Sequence, residues 1–323
     1  MDDSRDLAAA GECLRAASTV SIVSHVGPDG DAVGSVLGLA AALRAAGKQV
    51  TVALADGVPE RFLHLPGANQ VARRGDPQAE CRVFLDCGDL QRAGSAWQPQ
   101  WPVELNIDHH KTNTRFARFN VVWPHAVATA AMLAELLPRW GFEITPEAAS
   151  ALLTGMLTDT IGFRTSNMTA QALRLAADLV DRGAPLSELY FKALVERPFA
   201  ALRYWGQGLS RLQREGGLVW TSLTLHDRVV SGYPGDDDAG LVSYLATVRG
   251  AAIGVIFIEQ DDGTVKVSWR ARPGWDVSGV AVQFGGGGHA PASGATVPGT
   301  LEEVQAAVLQ ATRMLLQPSF EEG

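Results

Sequence analysis

Short apolar runs that end at Asp or His alternate with amphipathic helical stretches through the first half of the chain, and this alternation restricts the fold more than any other feature. Residues 19–24 (TVSIVS) read as a buried strand, and residues 32–46 as a helix closed by Gly47. Further strands are expected at 50–54, 82–85 and 104–107, with helices at 126–140, 146–157 and 169–183. Strands separated by helices form a largely parallel sheet, because a parallel connection has to cross the sheet. The expected class is therefore α/β. In open sheets of this kind ligands gather beyond the carboxyl ends of the strands, where His25, Asp86 and Asp108 fall.

A chain of 323 residues exceeds one ordinary core, so two domains are expected. Gly183, Pro185 and Pro198 mark residues 184–203 as the linker between a first domain, 1–183, and a second, 204–323. In the second, strands are expected at 218–225, 252–259 and 264–270, followed by a helix over 301–316. Asp261-Asp262-Gly263 supplies a hairpin turn, since Asp and Gly tolerate positive φ. This half reads as a smaller α/β domain.

The net charge of −8 argues against a broad basic surface that wraps long nucleic acid, and leaves small anionic substrates open. The acidic start, MDDSRD, does not resemble a secretory signal, and no apolar run reaches the roughly 20 residues of a membrane helix. A cytoplasmic location is expected, with no membrane partner. Cys13, Cys81 and Cys87 are odd in number and lack paired metal-ligand spacing, which suits a reducing compartment, small buried thiols and no disulfide framework.

Four segments of the first domain carry chemistry. In His25-Val26-Gly27-Pro28-Asp29-Gly30-Asp31 an imidazole and two carboxylates share one loop, and Asp29 and Asp31 can point to different sides of it. Asp31 could equally cap the following helix. Asp86 emerges at the end of an apolar strand, in a position that also suits a turn former. Asp108-His109-His110, with Asn113 close behind, places adjacent imidazoles after a carboxylate in a chain with only seven histidines, which favours metal or phosphate chemistry. Asp159 ends an apolar helix, where a carboxylate opposes the helix dipole unless it meets a cation; Thr158 and Thr160 could orient it. Together these segments supply imidazole and four aspartates to one sheet edge. Such an oxygen-rich set suits Mn²⁺ or Mg²⁺, and two cations sharing a carboxylate would promote in-line attack of water on phosphorus.

In the second domain Gly285-Gly286-Gly287-Gly288-His289 cannot serve as an ordinary strand, and its backbone amides could approach an anion beside the His289 donor. The period-two rule puts Ser268, Arg270 and Arg272 on one strand face, where Arg270 suits bidentate phosphate binding. Trp269 or Phe284 could stack a base, although core packing explains either as well.

These motifs, in this order, resemble the DHH phosphoesterase superfamily, in the branch with a DHH-associated C-terminal domain and closest to the nanoRNase/pAp-phosphatase group. The resemblance spans nearly the whole chain. It implies a largely parallel-sheet DHH domain, a smaller substrate-binding domain and an active site in the cleft between them. It also implies that His25, Asp29 and Asp86 hold one metal, that Asp31, Asp86, His109 and Asp159 hold the other, and that Asp86 bridges. His110 would contact the scissile phosphate, with Asp108 supporting the paired imidazoles. Asn113, Ser268, Arg270, Gly286, Gly287, Gly288 and His289 would bind substrate. Ile161 departs from the pattern, since Gly commonly follows Thr-Asp-Thr there.

The resemblance implies a phosphatase and exonuclease that uses two Mn²⁺, or Mg²⁺, on short oligonucleotides and 3′-phosphoadenosine 5′-phosphate, and it is compatible with a homodimer. Long duplex nucleic acid is not an expected partner. A soluble cyclic-di-AMP phosphodiesterase would look similar. A RecJ-type exonuclease would need additional domains, and a family II pyrophosphatase a different second domain. A nucleotide-binding regulator without catalysis should lack a metal ligand, and none is missing.

Overall fold

The computed structural model describes residues 3–316, and the chain divides into two compact units between Glu196 and Arg197. The first unit begins with α1 (Asp3–Ala16), which no part of the apolar alternation announced. Then follow β1 (Thr19–Val23), α2 (Gly30–Ala45), β2 (Gln49–Ala53), β3 (Cys81–Leu85), β4 (Leu105–Asp108) and β5 (Phe119–Val122). The unit closes with α3 (Thr129–Arg139), α4 (Pro146–Asp159), α5 (Ala170–Asp181) and α6 (Leu186–Tyr190), the last running into a π-helical turn over Phe191–Val195. Residues 184–203 are thus mostly helical.

The five strands lie in the order β2-β1-β3-β4-β5, and all four pairings are parallel. One face, carrying Ile22, Val83, Leu85 and Ile107, forms the main core with Leu39 and Leu43 of α2 and Leu152 and Leu153 of α4. The other face carries Val23 and Phe84 and is covered by Ala93, Trp97 and Val103 from irregular segments. With apolar groups on both faces the strands read as near-continuous hydrophobic runs, which is why they were legible. Helices α2 and α4 cross closely at glycine: a Cβ on Gly34 would lie 2.5 Å from the Ala151 carbonyl oxygen.

The second unit contains α7 (Phe199–Ser210), β6 (Gln213–Glu215), β7 (Leu218–Leu223), α8 (Leu225–Ser231), α9 (Val242–Leu245), β8 (Ile253–Glu259) and β9 (Thr264–Ala271). It ends with α10 (Ser278–Gln283), β10 (Gly287–His289), β11 (Ala292–Pro298) and α11 (Leu301–Leu316). The six strands run β10-β11-β9-β8-β7-β6. Only β7 and β8 pair in parallel, so the sheet is mixed. Gly263, with φ of 80°, turns the β8–β9 hairpin as expected from Asp261-Asp262-Gly263.

The glycine run corrects a sequence expectation. Gly287, Gly288 and His289 form a short strand against Gly294, Ser293 and Ala292. A Cβ on Gly286 would lie 2.1 Å from the Gly294 carbonyl oxygen, and one on Gly288 2.6 Å from that of Ala292. Glycine is required here by close backbone approach inside the unit. Trp269 is also core: it is fully buried, and its Nε1–H donates to Thr312 Oγ1 at 3.1 Å. Among the described residues no helix is long and apolar enough to cross a membrane.

Candidate active site

Loops leaving the carboxyl ends of β1, β3 and β4 bring His25, Asp86, Asp108, His109 and His110 together with the start of α2 and the end of α4. Asp29 is the N-cap of α2; its Oδ1 accepts from the N–H groups of Asp31 and Ala32, each at 3.0 Å. The capping role considered for Asp31 therefore belongs to Asp29. Asp31 is buried in the first turn, where its Oδ2 accepts from Thr129 N–H at 2.6 Å and its Oδ1 from Ala130 N–H at 2.9 Å. These donors are orphans of the first turn of α3.

Asp86 occupies the centre. It is buried at 1% exposure and adopts φ of 53°, a left-handed conformation that costs a side-chain-bearing residue about 1 kcal/mol or more. Such strain persists where the surroundings over-determine it, and is common at active sites. Asp86 Oδ2 lies 3.5 Å from His25 Nε2, while Oδ1 lies 3.7 Å from His109 Nε2 and 3.6 Å from His110 Nδ1. Thr129 Oγ1–H donates to Oδ1 at 3.1 Å. His109 Nε2 is also 3.6 Å from Asp159 Oδ2 and 3.9 Å from Asp31 Oδ2. Ligand-type atoms thus gather in three overlapping groups: His25, Asp29 and Asp86; Asp31, His109 and Asp159; and Asp86, His109 and His110.

Backbone carbonyls orient two of the imidazoles. His25 Nδ1–H donates to Val26 O at 2.9 Å and His109 Nδ1–H to Ala126 O at 3.2 Å, which leaves both Nε2 atoms turned to carboxylates. A carbonyl that fixes Nδ1–H leaves the Nε2 lone pair available to a cation. His110 is different: its Nδ1–H donates to Oδ1 of the fully buried Asp108 at 2.7 Å. Asp108 therefore braces His110 alone, not both imidazoles, because the Nδ1–H of His109 is committed to Ala126.

The electrostatics show a site short of positive charge. Burial, then the charges of Asp86 and Asp159, hold the Asp31 carboxyl well above the usual range. Burial likewise lifts Asp159 to about 6 against the opposing pull of His109. At Asp86 burial is overcome by the adjacent imidazoles, His25 foremost, with His109 and His110, which lower it. At His25 burial is overcome by Asp86, and the pKa rises. The hydrogen bond to Asp108 raises His110 to about 9 in spite of burial. Oxygen-rich donors, two carbonyl-fixed imidazoles and mutually repelling buried carboxylates fit divalent cations.

Three other expectations are corrected. Asn113 is not free to meet a substrate: its Nδ2–H₂ donates to Asp108 Oδ2 at 2.5 Å and Asn106 Oδ1 at 2.7 Å, and its Oδ1 accepts from Arg115 N–H at 2.7 Å. The hydroxyls of Thr158 and Thr160 do not orient Asp159; they donate back to Thr154 O and Met156 O of α4. Arg272 lies past the end of β9 and donates to the carbonyls of Ala246, Thr247 and Val248, so it does not share the role sketched for Arg270. Ile161 departs from the expected Gly yet takes a glycine-like φ of 50°, followed by Gly162 and Phe163 at 68° and 66°. The turn after Asp159 keeps its left-handed course.

Sequence reasoning missed Thr129, Ala130 and Ala126. With the helix expected from residue 126, Thr129 would have lain one turn inside and its N–H been used; starting at Thr129 frees that donor for Asp31.

In the second unit Ser268 and Arg270 share a face of β9 opposite the buried Trp269. Arg270 is half-buried and donates from Nη1 to Trp269 O at 2.9 Å; burial lowers its pKa and Asp238 opposes the shift. His289 is exposed at the end of β10.

Comparison with known proteins agrees with this geometry. Residues 19–156 match the DHH family, N-terminal domain, and residues 225–317 the DHHA1 domain. The chain is 40% identical over 301 residues to the bifunctional oligoribonuclease and PAP phosphatase NrnA of Thermus thermophilus, covering 91% of this chain and 89% of that one. A crystal structure of an exopolyphosphatase-related protein from Bacteroides fragilis superposes with a TM-score of 0.89 at 26% identity, covering 97% and 98% of the two chains. RecJ of Thermus thermophilus, solved with Mn²⁺, shares the fold at 14% identity with a TM-score of 0.54, over 97% of this chain and 54% of that one. Buried carboxylates around paired imidazoles at the carboxyl edge of a parallel sheet, followed by a second unit of matching type, place this chain in the DHH family of phosphoesterases, in its DHH–DHHA1 branch.

Proposed function

We propose that the protein hydrolyses short oligonucleotides to mononucleotides and removes a phosphate from 3′-phosphoadenosine 5′-phosphate, using two divalent cations, Mn²⁺ in preference to Mg²⁺. The observation that carries this reading is the division of Asp86, whose two carboxylate oxygens face different ligand groups, Oδ2 toward His25 and Oδ1 toward His109. His25, Asp29 and Asp86 would hold one cation, and Asp31, Asp86, His109 and Asp159 the other. Bound there, the cations would neutralise the carboxylates, polarise a phosphoryl oxygen and make a water acidic enough to attack phosphorus.

The chain's own groups account for the rest. Asp108 keeps the proton on Nδ1 of His110 and fixes its ring, so that Nε2 is left for the scissile phosphate. Val26 O and Ala126 O hold His25 and His109 in the tautomer a cation needs. The amides of Thr129 and Ala130 anchor Asp31. Arg270, Ser268, His289 and the backbone of Gly286, Gly287 and Gly288 would bind the phosphates of the substrate and select its length. The Thermus thermophilus relative, named as an oligoribonuclease and PAP phosphatase, supports the substrate class. RecJ, crystallised with Mn²⁺ and with Mg²⁺, is consistent with a divalent cation.

The test is an assay with Mn²⁺ over dinucleotides to pentanucleotides, a long single strand, 3′-phosphoadenosine 5′-phosphate, cyclic di-AMP and pyrophosphate. Preference for the short oligonucleotides and the bisphosphate is expected, and should disappear in Asp86→Ala while the circular dichroism spectrum is unchanged. Preference for cyclic di-AMP, for the long strand or for pyrophosphate, or near-normal turnover in Asp86→Ala, would overturn the assignment. Arg270→Ala and His289→Ala should raise KM for oligonucleotides without loss of metal binding; unchanged kinetics would remove the second unit from substrate recognition.

A further inference from the structure

Two of the three cysteines meet on the first unit, away from the metal ligands. Cys13 of α1 and Cys81, the first residue of β3, are 68 residues apart in sequence, yet their Sγ atoms lie 2.6 Å from one another. That separation is inside ordinary sulfur contact and approaches the roughly 2.05 Å of a covalent S–S bond. Both are free thiols, as is Cys87. Helix α1 is already seated by other groups: Asp6 accepts from Asn120 N–H at 3.0 Å, and Leu7 O accepts from Trp140 Nε1–H at 3.2 Å. Helix α1 is therefore held with the two sulfurs facing one another.

The two thiols are unequal. Cys13 is half-buried and can be reached from solvent, whereas Cys81 is closed off. Hydrogen bonding from Cys81 lowers the pKa of Cys13 against the effects of burial and of the Glu104 charge, with smaller help from Arg118 and Arg82. Cys81 shifts the opposite way. A partly exposed thiol with enhanced thiolate character beside a buried partner is the arrangement of an attacking and a resolving cysteine. Cys87 plays neither part, being buried with its S–H donated to Asp89 O at 3.1 Å.

We propose that Cys13 and Cys81 form a reversible intramolecular disulfide when the protein meets a hydroperoxide, where the sequence led to an expectation of buried thiols and no disulfide framework. The Cys13 thiolate attacks one oxygen of the peroxide; the O–O bond breaks, giving a sulfenic acid and, for hydrogen peroxide, a hydroxide that takes up the proton released from the Cys13 thiol and leaves as water. The Cys81 sulfur then displaces the hydroxyl group, and the second water leaves with the Cys81 proton. Two thiols are oxidised by two electrons, and the peroxide is reduced. The bond closes residues 13–81 into a loop and ties α1 to the amino end of β3, whereas Asp86 leaves the carboxyl end of that strand. The link therefore staples the fold without touching the metal ligands, and stabilises chiefly by restricting the unfolded chain.

The test uses the full chain, reduced with dithiothreitol and then treated with hydrogen peroxide. Thiols titrated under denaturing conditions should fall from three to one. Peptide mapping without reductant should recover the Cys13 and Cys81 peptides joined, lighter by two hydrogen atoms, and dithiothreitol should separate them. The oxidised protein should melt on the order of 10 °C above the reduced one, a difference absent from Cys13→Ala and Cys81→Ala, both with wild-type turnover. Three thiols remaining after treatment, a linkage through Cys87 or between chains, or a cross-linked protein with an unchanged melting temperature would overturn the proposal.

Discussion

Oδ1 of Asp108 accepts the Nδ1 proton of His110 at 2.7 Å, from a position with no exposure to solvent. Among the described residues the pair is the shortest carboxylate–imidazole contact at this site, the other approaches being 3.5 Å or longer. Asp108→Asn should preserve the shape of the side chain but lose the charge that holds the ring. We expect turnover to fall about 10- to 100-fold, with little change in KM. Steady-state kinetics check this, and turnover within twofold of wild type would dissociate His110 from its brace.

Asn113 supports the same pair from behind through Asp108 Oδ2 and Asn106 Oδ1. Asn113→Ala should leave both acceptors without a donor and cost about 1–3 kcal/mol of stability, measured by denaturant unfolding. KM should stay near that of wild type. A raised KM with full stability would return Asn113 to substrate binding.

Asp31, Asp86 and Asp159 crowd one another, and in metal-free protein only imidazoles, protons and the hydrogen bonds from Thr129 and Ala130 offset them. Chelation should therefore lower the melting temperature, and added Mn²⁺ should raise it by mass action. Asp159→Asn removes one repelling charge and one ligand. Its metal-free form should melt above metal-free wild type, while its response to Mn²⁺ should shrink. Thermal scans across a Mn²⁺ titration separate the two effects, and an unaltered response would exclude Asp159 as a ligand.

Asp227 in the second unit tests a charge outside the candidate metal-ligand set. It completes the capping box of α8 with Thr224 and pairs with Arg211. Burial opposes its ionisation, but the bonds from Thr224 and Arg211 prevail and its pKa is lowered. A lowered folded-state value means stability present above the unfolded pKa and lost as pH falls through the folded one. Asp227→Asn should cost about 1–2 kcal/mol at pH 7. The gap should narrow as pH drops below about 4. Urea unfolding at pH 7 and pH 3 measures it, and a gap independent of pH would show that charge plays no part.

The parallel sheet of the first unit was legible because its strands are apolar on both faces and each stops where polar residues begin. Ile22 to His25, Leu85 to Asp86 and Ile107 to Asp108 mark the sheet edge as plainly in the sequence as in space. Less was visible where pattern and packing diverge. Helix α1 opens with the polar run Asp3-Ser4-Arg5-Asp6, and β5 is only four residues long, so neither carries enough periodicity to stand out. The glycine run could be recognised as unusual, but its reason, the backbone of β11 pressed against it, lies in residues that follow it.

The amino-acid sequence by itself determined which residues could carry the chemistry, because imidazoles and carboxylates placed at strand and helix ends cannot be accounted for by burial of apolar surface. Tertiary structure alone decided how they divide the work. Whether an aspartate caps a helix, braces an imidazole or faces two ligand groups depends on which donors reach its two oxygens, and those donors come from elsewhere in the chain: Thr129 to Asp31, Asn113 to Asp108, and His25 and His109 to Asp86. The meeting of Cys13 with Cys81 has the same origin. Contacts across tens of residues are set by how the sheet orders its strands and seats its helices, and no local spacing encodes them.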